Sequence, residues 1–398
     1  MTMQIEEPQH YRIGLHHLGF RPFFLLAGVF AVAAVVVWLW ILSYQGSLPR
    51  SSLGPVQWHA HEMLFGYVFA VIAGFLLAAV RNWTGVQTLH GAPLLLLAGL
   101  WLAARCMPFV AHPQALLIMA VLDLAFNGLL ALVLLYPIVK VRQWQQLAIW
   151  SKVLLLLLAN VMFYLGVFNQ LDDGVRLGLY TALYLIVSLI MVMGRRVIPF
   201  FIEKGVGYPL TLRNWRWLDI ASLFLMLAFI VVEVFVILPG PAAVLAAALA
   251  ILHGWRLAGW YASGIWRKPL LWSLYLGYAW LVAGFVLKAL SHWGTLNPML
   301  AVHAFAYGGI GMLTLGMMAR VALGHTGRDV FNPPRVLGLL FLLLFIGALL
   351  RVVMPLLTSG SYATWIMYAQ WFWIAAFGGF VFVYAPMLVR GRVDGKYG

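Results

Sequence analysis

The chain has 398 residues, 64% of them hydrophobic and only 9% charged, with a mean hydropathy of +0.95. No soluble domain can bury that much apolar surface, so composition specifies an all-α, polytopic transmembrane helix bundle. The formal charge of +14 has no basic soluble domain to carry it, which excludes a nucleic-acid footprint and leaves orientation and contact with the lipid bilayer's anionic head groups.

In chain order, apolar stretches of about 20 residues mark twelve spans: Leu18–Ser43, His59–Val80, Ala92–Val110, Gln114–Tyr136, Leu147–Phe168, Arg176–Phe200, Trp217–Leu238, Pro241–Ala262, Leu270–His292, Met299–Val321, Val336–Leu357 and Tyr362–Val389. The loops are short, the longest running from Phe201 to Arg216, so residues 1–398 form a single transmembrane domain without a soluble part. With the amino terminus in the cytoplasm, only Arg50, Arg105, Arg176, Lys288 and Arg351 of the 25 basic residues fall on the outer side. That positive-inside bias places both termini in the cytoplasm. No cleavable signal pattern opens the chain: Glu6 and Glu7 precede His16 and His17, and the first apolar run is long enough to remain a span. The single cysteine, Cys106, excludes internal disulfides and multi-cysteine metal clusters.

Under this topology Glu62, Asp123, Asn127, Glu233, Lys288, His292 and His303 fall in the outer half, with His59 and His61 at the outer boundary and His253 near mid-depth. Polar groups at membrane depth are costly and mark function or mutual neutralisation, and for Asp123, Glu233 and Lys288 both readings stand. In a regular helix His59 and His61 lie about 200° apart, so both cannot serve one ligand face. His59 then aligns with Glu62, Met63, Gly66 and Ala70, and His61 with Phe65 and Val68. Imidazole suits haem iron and copper, and thioether also suits copper, which makes His59 with Met63 a soft metal site and Glu62 a carboxylate to orient the imidazole.

The tenth span carries matching features. His303 is followed by Tyr307, then by Gly308, Gly309, Gly311 and Gly316, which admit either a flat cofactor or a close helix neighbour. If the starts of the second and tenth spans meet, their histidines form a metal or haem site. At the inner boundary Arg320, His325 and Arg328 gather donors for an anion, a propionate or a lipid phosphate, or simply anchor the helix. An internal echo joins the two spans: His61 stands 23 residues before Thr84-Gly85, with Arg81 between, and His303 stands 23 before Thr326-Gly327, with Arg320 between. Such echoes accompany pseudo-symmetric halves in membrane bundles.

Gly19-Phe20-Arg21-Pro22-Phe23-Phe24, the Trp58-to-Met63 run continuing through Gly74-Phe75-Leu76-Leu77 to Arg81-Asn82-Trp83-Thr84-Gly85, the segment Gly194-Arg195-Arg196-Val197-Ile198-Pro199-Phe200-Phe201, and His303 through Arg328 resemble the NnrS family over almost the entire chain. The resemblance implies a multi-pass protein of the bacterial inner membrane containing haem, of b type, and copper, tied to nitric oxide metabolism and relief of nitrosative stress. Carried over position by position, it marks His59, His61, Glu62, His303, Arg320, His325 and Arg328; His253 is added by depth. Tyr275 stands where the resemblance leads one to expect histidine, and His253 is its nearest substitute.

Three functions compete at this point. One is a haem- and copper-containing redox protein that binds or helps process nitric oxide, with Glu62, Asp123, Glu233 and Tyr307 orienting the ligands or carrying protons. Another is a transporter for a metal, haem or a nitrosyl-metal species, which twelve spans and the echo suit. The third is a haem-bearing assembly or sensory partner. The loops hold no docking motif that identifies an electron donor, and no glycine-rich phosphate loop follows a strand, which excludes nucleotide chemistry.

Overall fold

The computed structural model describes residues 12–48, 53–294 and 296–398; Glu6, Glu7 and Arg50 lie outside them. Twelve helices long and apolar enough to cross a bilayer follow one another: α1 (Phe20–Tyr44), α2 (Pro55–Thr84), α3 (Gly91–Phe109), α4 (Ala115–Lys140), α5 (Trp144–Val167), α6 (Gly174–Gly205), α7 (Arg216–Val236), α8 (Pro239–Gly259), α9 (Pro269–His292), α10 (Pro298–His325), α11 (Val336–Leu357) and α12 (Tyr362–Val389). The all-α expectation and the number of spans are met. Among the described residues the only β-type pairing is a bridge between Ile13 and Arg390.

Helices satisfy every interior backbone group within themselves, the condition for lipid contact. Large apolar side chains such as Phe382, Leu96 and Leu132 therefore point outward without a protein partner, forming the lipid-facing belt. Three helices form the centre: α2, α6 and α10 are 83%, 72% and 78% buried along their most apolar stretch, whereas α9 follows at 56%. Around them α5 packs on α6, α8 on α9, α1 on α12 and α11 on α12.

The ends of the chain are locked together at one end of the bundle. Gly14 N–H donates to the Val389 carbonyl, and the Arg21 guanidinium donates to the carbonyls of Leu388 (2.9 Å) and Arg390 (2.7 Å). This explains the buried arginine of the Gly19-Phe20-Arg21 segment: it ties α1 to the end of α12. We refer to this as the termini end, and to the other as the far end.

Four helices are not regular. Each contains a wide π turn: Glu62–Val68 in α2, Val231–Val236 in α7, Ala304–Gly311 in α10 and Leu349–Val353 in α11. Such turns leave backbone groups without their usual partner and recur at functional sites. In α2 the Gly66 carbonyl accepts from Trp101 Nε1 (3.1 Å), and Tyr67, on the same turn, bonds Thr314 on α10 through their hydroxyls. Each wide turn contains a polar or tyrosine side chain: Glu62 and Tyr67 in α2, Glu233 in α7, Tyr307 in α10 and Arg351 in α11.

The echo between α2 and α10 is visible in both helix ends. Thr84 and Thr326 bond back to the carbonyls of Val80 and Ala322 (both 2.7 Å), and Gly85 and Gly327 take the left-handed conformation that closes the helix (φ 68° and 77°). Gly347 on α11 leaves room for Tyr307 of α10, since a Cβ there would collide with its hydroxyl. Gly347→Val is expected to cost about 1–3 kcal/mol by overpacking, read as a lower midpoint of thermal unfolding in detergent, and an unchanged midpoint would show that Tyr307 moves freely.

Candidate functional site

Two of the central helices, α2 and α10, each begin on a proline behind a capped residue. Gly54 N–H donates to Gln57 Oε1 (3.1 Å) ahead of Pro55, and Asn297 Oδ1 accepts from Met299 N–H (2.9 Å) ahead of Pro298. Proline in the first turn is pre-set for helix and lacks an N–H to strand. This starts α2 four residues before the expected His59, and places His59 and His303 in the second turns of their helices.

His59 and His303 converge there on one apolar cavity of about 290 Å³ between α1, α2, α6, α10, α11 and α12. Its wall also carries Met63, Met299, Tyr307, Arg351 and Gln370. Trp38 of α1 stacks on the His59 ring (4.4 Å, 11°), and His59 Nδ1 is buried with no hydrogen-bond partner. His303 Nδ1–H donates to the Met299 carbonyl (2.7 Å), so its Nε2 holds the lone pair, and there Arg351 donates (3.0 Å). Tyr307 donates its hydroxyl to the Ala369 carbonyl (2.7 Å) and sets its ring against Trp373.

Arg351 determines the electrostatics of this cavity. Its side chain is buried, and among the described residues no carboxylate lies within ion-pair distance of it. A guanidinium at membrane depth without an anion demands one. The cavity thus combines two imidazoles, two thioethers and one uncompensated positive charge within apolar walls.

His61 and Glu62 do not join this cavity. Glu62 stands about 60° round the helix from His59, and that offset turns it to Arg105 while Met63 stays on the cavity wall. His61 Nδ1 meets Glu62 Oε1 (3.1 Å), while its Nε2 meets Asn160 Oδ1 (3.1 Å) and Asp123 Oδ2 (3.3 Å). Arg105 bonds Asp123 (2.6 Å) and lies 3.2 Å from Glu62, and Asn160 and Tyr164 both donate to Asp123 Oδ2. Both nitrogens of His61 face only acceptor oxygens, which a doubly protonated ring satisfies. Two carboxylates against a guanidinium and an imidazolium make the group neutral, as a fully buried cluster must be. His61 has no lone pair left for a metal in this arrangement.

The remaining candidates are dispersed. Glu233 forms an ion pair with Lys288 beside a separate far-end cavity of about 360 Å³. Tyr180 lines both that cavity and the one holding His59. His253 is buried at the termini end of α8, bonded to the Tyr278 hydroxyl (2.6 Å), and Tyr275 stands apart from it among Tyr261 and Trp266. The inner trio does not gather: Arg320 stacks 3.6 Å over the Phe201 ring, His325 packs on Phe20, and Arg328 lies beside Arg390. Gly308 and Gly309 are filled by Trp280 and Leu281, so the glycines of α10 serve helix packing.

Sequence reasoning missed Arg351, Trp38, Gln370, Arg105 and Asn160. Arg105 and Arg351 entered it only as topology markers, yet each is a charge inside an apolar run, which was the available signal. Asn127, one turn from Asp123, is fully buried with neither amide atom bonded, a polar site for an internal water. Among the described residues no three of His, Cys, Asp and Glu form a group able to hold a metal ion. A metal in the cavity would therefore rely on the two imidazoles together with the methionines.

Fold and site define a multi-pass helical membrane protein with a histidine- and arginine-lined cavity at one end of its bundle. The family model described as NnrS protein matches residues 14–392. The chain belongs to the NnrS family, membrane proteins linked to the nitric oxide response. No curated protein matches it.

Proposed function

We propose that this chain is a haem-containing protein of the bacterial inner membrane that binds nitric oxide or helps process it and so relieves nitrosative stress. The observation that carries this reading is the convergence of His59 and His303, from two helices built alike, on a cavity that also holds an arginine without a counter-ion. The basic excess at the termini end orients that end to the cytoplasm and the cavity to the periplasmic side.

The residues fit haem. His303 is held by the Met299 carbonyl in the tautomer whose Nε2 can ligate iron, the usual support of a ligand imidazole. His59 is oriented by Trp38 and has an unused buried nitrogen. Arg351 would neutralise a propionate through a charge-assisted pair, and the apolar walls would exclude water around the ring. Haem bound there would supply the iron to which nitric oxide adds. The protein's part is to fix the imidazoles and compensate charge, and Arg351 must yield the Nε2 lone pair of His303 on loading.

Copper draws on the same donors, two imidazoles with the thioethers of Met63 and Met299, a soft set suited to cuprous ion. Among the described residues no second set of this kind accompanies it, so we derive no step through copper. A transporter of metal, haem or a nitrosyl-metal species is the second reading, favoured by the matched ends of α2 and α10. It predicts flux into sealed vesicles and a readily exchanged ligand.

The test is a reduced-minus-oxidised optical spectrum of detergent-purified protein, with and without nitric oxide and with iron and copper quantified. A stoichiometric haem band that shifts with nitric oxide is expected, and a featureless spectrum from haem-replete cells overturns the reading. Arg351→Leu is expected to lower haem retention roughly 10- to 100-fold, the loss of one charge-assisted bond. Full retention in that variant would remove Arg351 from the site.

A further inference from the structure

A third cavity, of about 330 Å³, opens at the termini end between α5, α6, α7 and α8. Its lining includes Lys152, Arg195, Arg196, Arg216 and Arg256 against one carboxylate, Asp219. Asp219 is already committed, paired with Arg195 and with Arg256 (2.8 Å). Lys152, Arg196 and Arg216 have no carboxylate within ion-pair distance among the described residues. Arg196 and Arg216 are exposed at the mouth, whereas Lys152 and Arg256 are buried deeper in the wall.

His253 adds an independent observation. It is wholly buried and lines this cavity. Arg256 Nη1, a group that can only donate, lies 3.3 Å from His253 Nδ1, and the Tyr278 hydroxyl lies 2.6 Å from the same nitrogen. Nδ1 is therefore the acceptor and Nε2 carries the proton. That Nε2 has no hydrogen-bond partner. A buried N–H without an acceptor costs about 1–3 kcal/mol, and the basic lining of the cavity that His253 shares favours an anion as that acceptor. The same excess of positive charge opposes a metal cation at His253.

We infer that this cavity binds a phosphate-class oxyanion, either free or as the head group of an anionic lipid, with His253 and Lys152 at its buried end and Arg196 and Arg216 at its mouth. A guanidinium matches two anion oxygens at once, and an ammonium adds a compact charge, so the lining is a usual one for phosphate. The site lies at the opposite end of the bundle from the His59–His303 cavity and does not rest on the function proposed above.

The experiment uses the full chain, purified and delipidated in detergent, with radiolabelled inorganic phosphate in equilibrium dialysis. A parallel sample taken directly from membranes is examined by native mass spectrometry for retained phosphatidylglycerol. Wild-type protein is expected to bind one phosphate saturably, and His253→Phe and Lys152→Met are expected to weaken that binding at least 10-fold. The unfolding midpoint of Lys152→Met and any haem spectrum of either variant should stay at wild-type values, whereas His253→Phe also loses the bonds from Tyr278 and Arg256. Should His253→Phe fail to fold, Lys152→Gln carries the test, because a long side chain near the helix end is replaced without opening the core. Retained phosphatidylglycerol that competes with phosphate identifies the lipid source, and phosphate binding without retained lipid identifies the free anion. Wild-type protein that holds neither, or variants that bind as it does, would overturn the assignment.

Discussion

His303→Ala is expected to abolish the Soret band of the purified protein while leaving its unfolding midpoint close to wild type. His303 is the cavity imidazole whose state is fixed from both sides: its Nδ1–H is spent on the Met299 carbonyl and its Nε2 faces inward beside Arg351. Alanine removes the donor and vacates space next to a cavity that already exists, so the protein loses little packing. Added imidazole is expected to restore part of the band, which a general structural defect would not allow. His59→Ala should lower iron and copper together, because both histidines line one cavity. A His303→Ala protein with an unchanged spectrum and haem load would strike His303 from the ligands.

Arg105→Met should have the largest effect on folding. Arg105 sits between Glu62 and Asp123 in a cluster whose members are all nearly inaccessible. Removing one partner of a buried ion pair leaves an uncompensated charge and costs about 3–5 kcal/mol. The expected result is a sharp fall in the amount of folded protein recovered from membranes. Arg105→Met combined with Asp123→Asn restores neutrality and should recover a large part of it. Equal yields from wild type and the single variant would mean that the cluster adjusts its protons at little cost. The same logic separates the two histidines of α2: His61→Ala should damage stability before it touches haem content, and His59→Ala the reverse.

Much of this architecture is legible in the residues because the bilayer demands long apolar runs and tolerates few charges. Spans such as Val336–Leu357 and Tyr362–Val389 are bounded identically by hydropathy and by the structure. Boundary histidines on two runs that share direction raised the meeting of α2 and α10 as a condition, and the shared cavity meets it. What hydropathy does not carry is helix phase. A regular helix sets Glu62 about 60° from His59, near enough to read as one face, yet the structure gives Glu62 to Arg105 and Met63 to the cavity. Nor does the linear chain announce that Arg351 reaches His303 across 48 positions, or that Asn160 reaches His61 across 99. Those pairings depend on how α5, α10 and α11 are rotated, which side-chain packing decides. The inner trio shows the opposite failure: proximity in sequence made Arg320, His325 and Arg328 look like one site, and the helix end sends them to different neighbours.

The wide turns also set how this family can vary by insertion and deletion. Each is equivalent to one extra residue accommodated within a helix, so the halves on either side keep their facing although the count between them is one too long. Deleting one residue between Glu62 and Val68 would tighten the turn into regular helix and leave His59 facing His303, whereas the same deletion in a regular stretch of α2 would swing one half by about 100° against the other. The change would fall instead on the side chains inside the turn, moving Glu62 and Tyr67 off Arg105 and Thr314. The wide turns are thus the places where a central helix can change length by one residue and keep the cavity, as the exposed loops can with little consequence. Among relatives that keep the cavity, one-residue gaps within helices should fall in turns such as Glu62–Val68 and Ala304–Gly311.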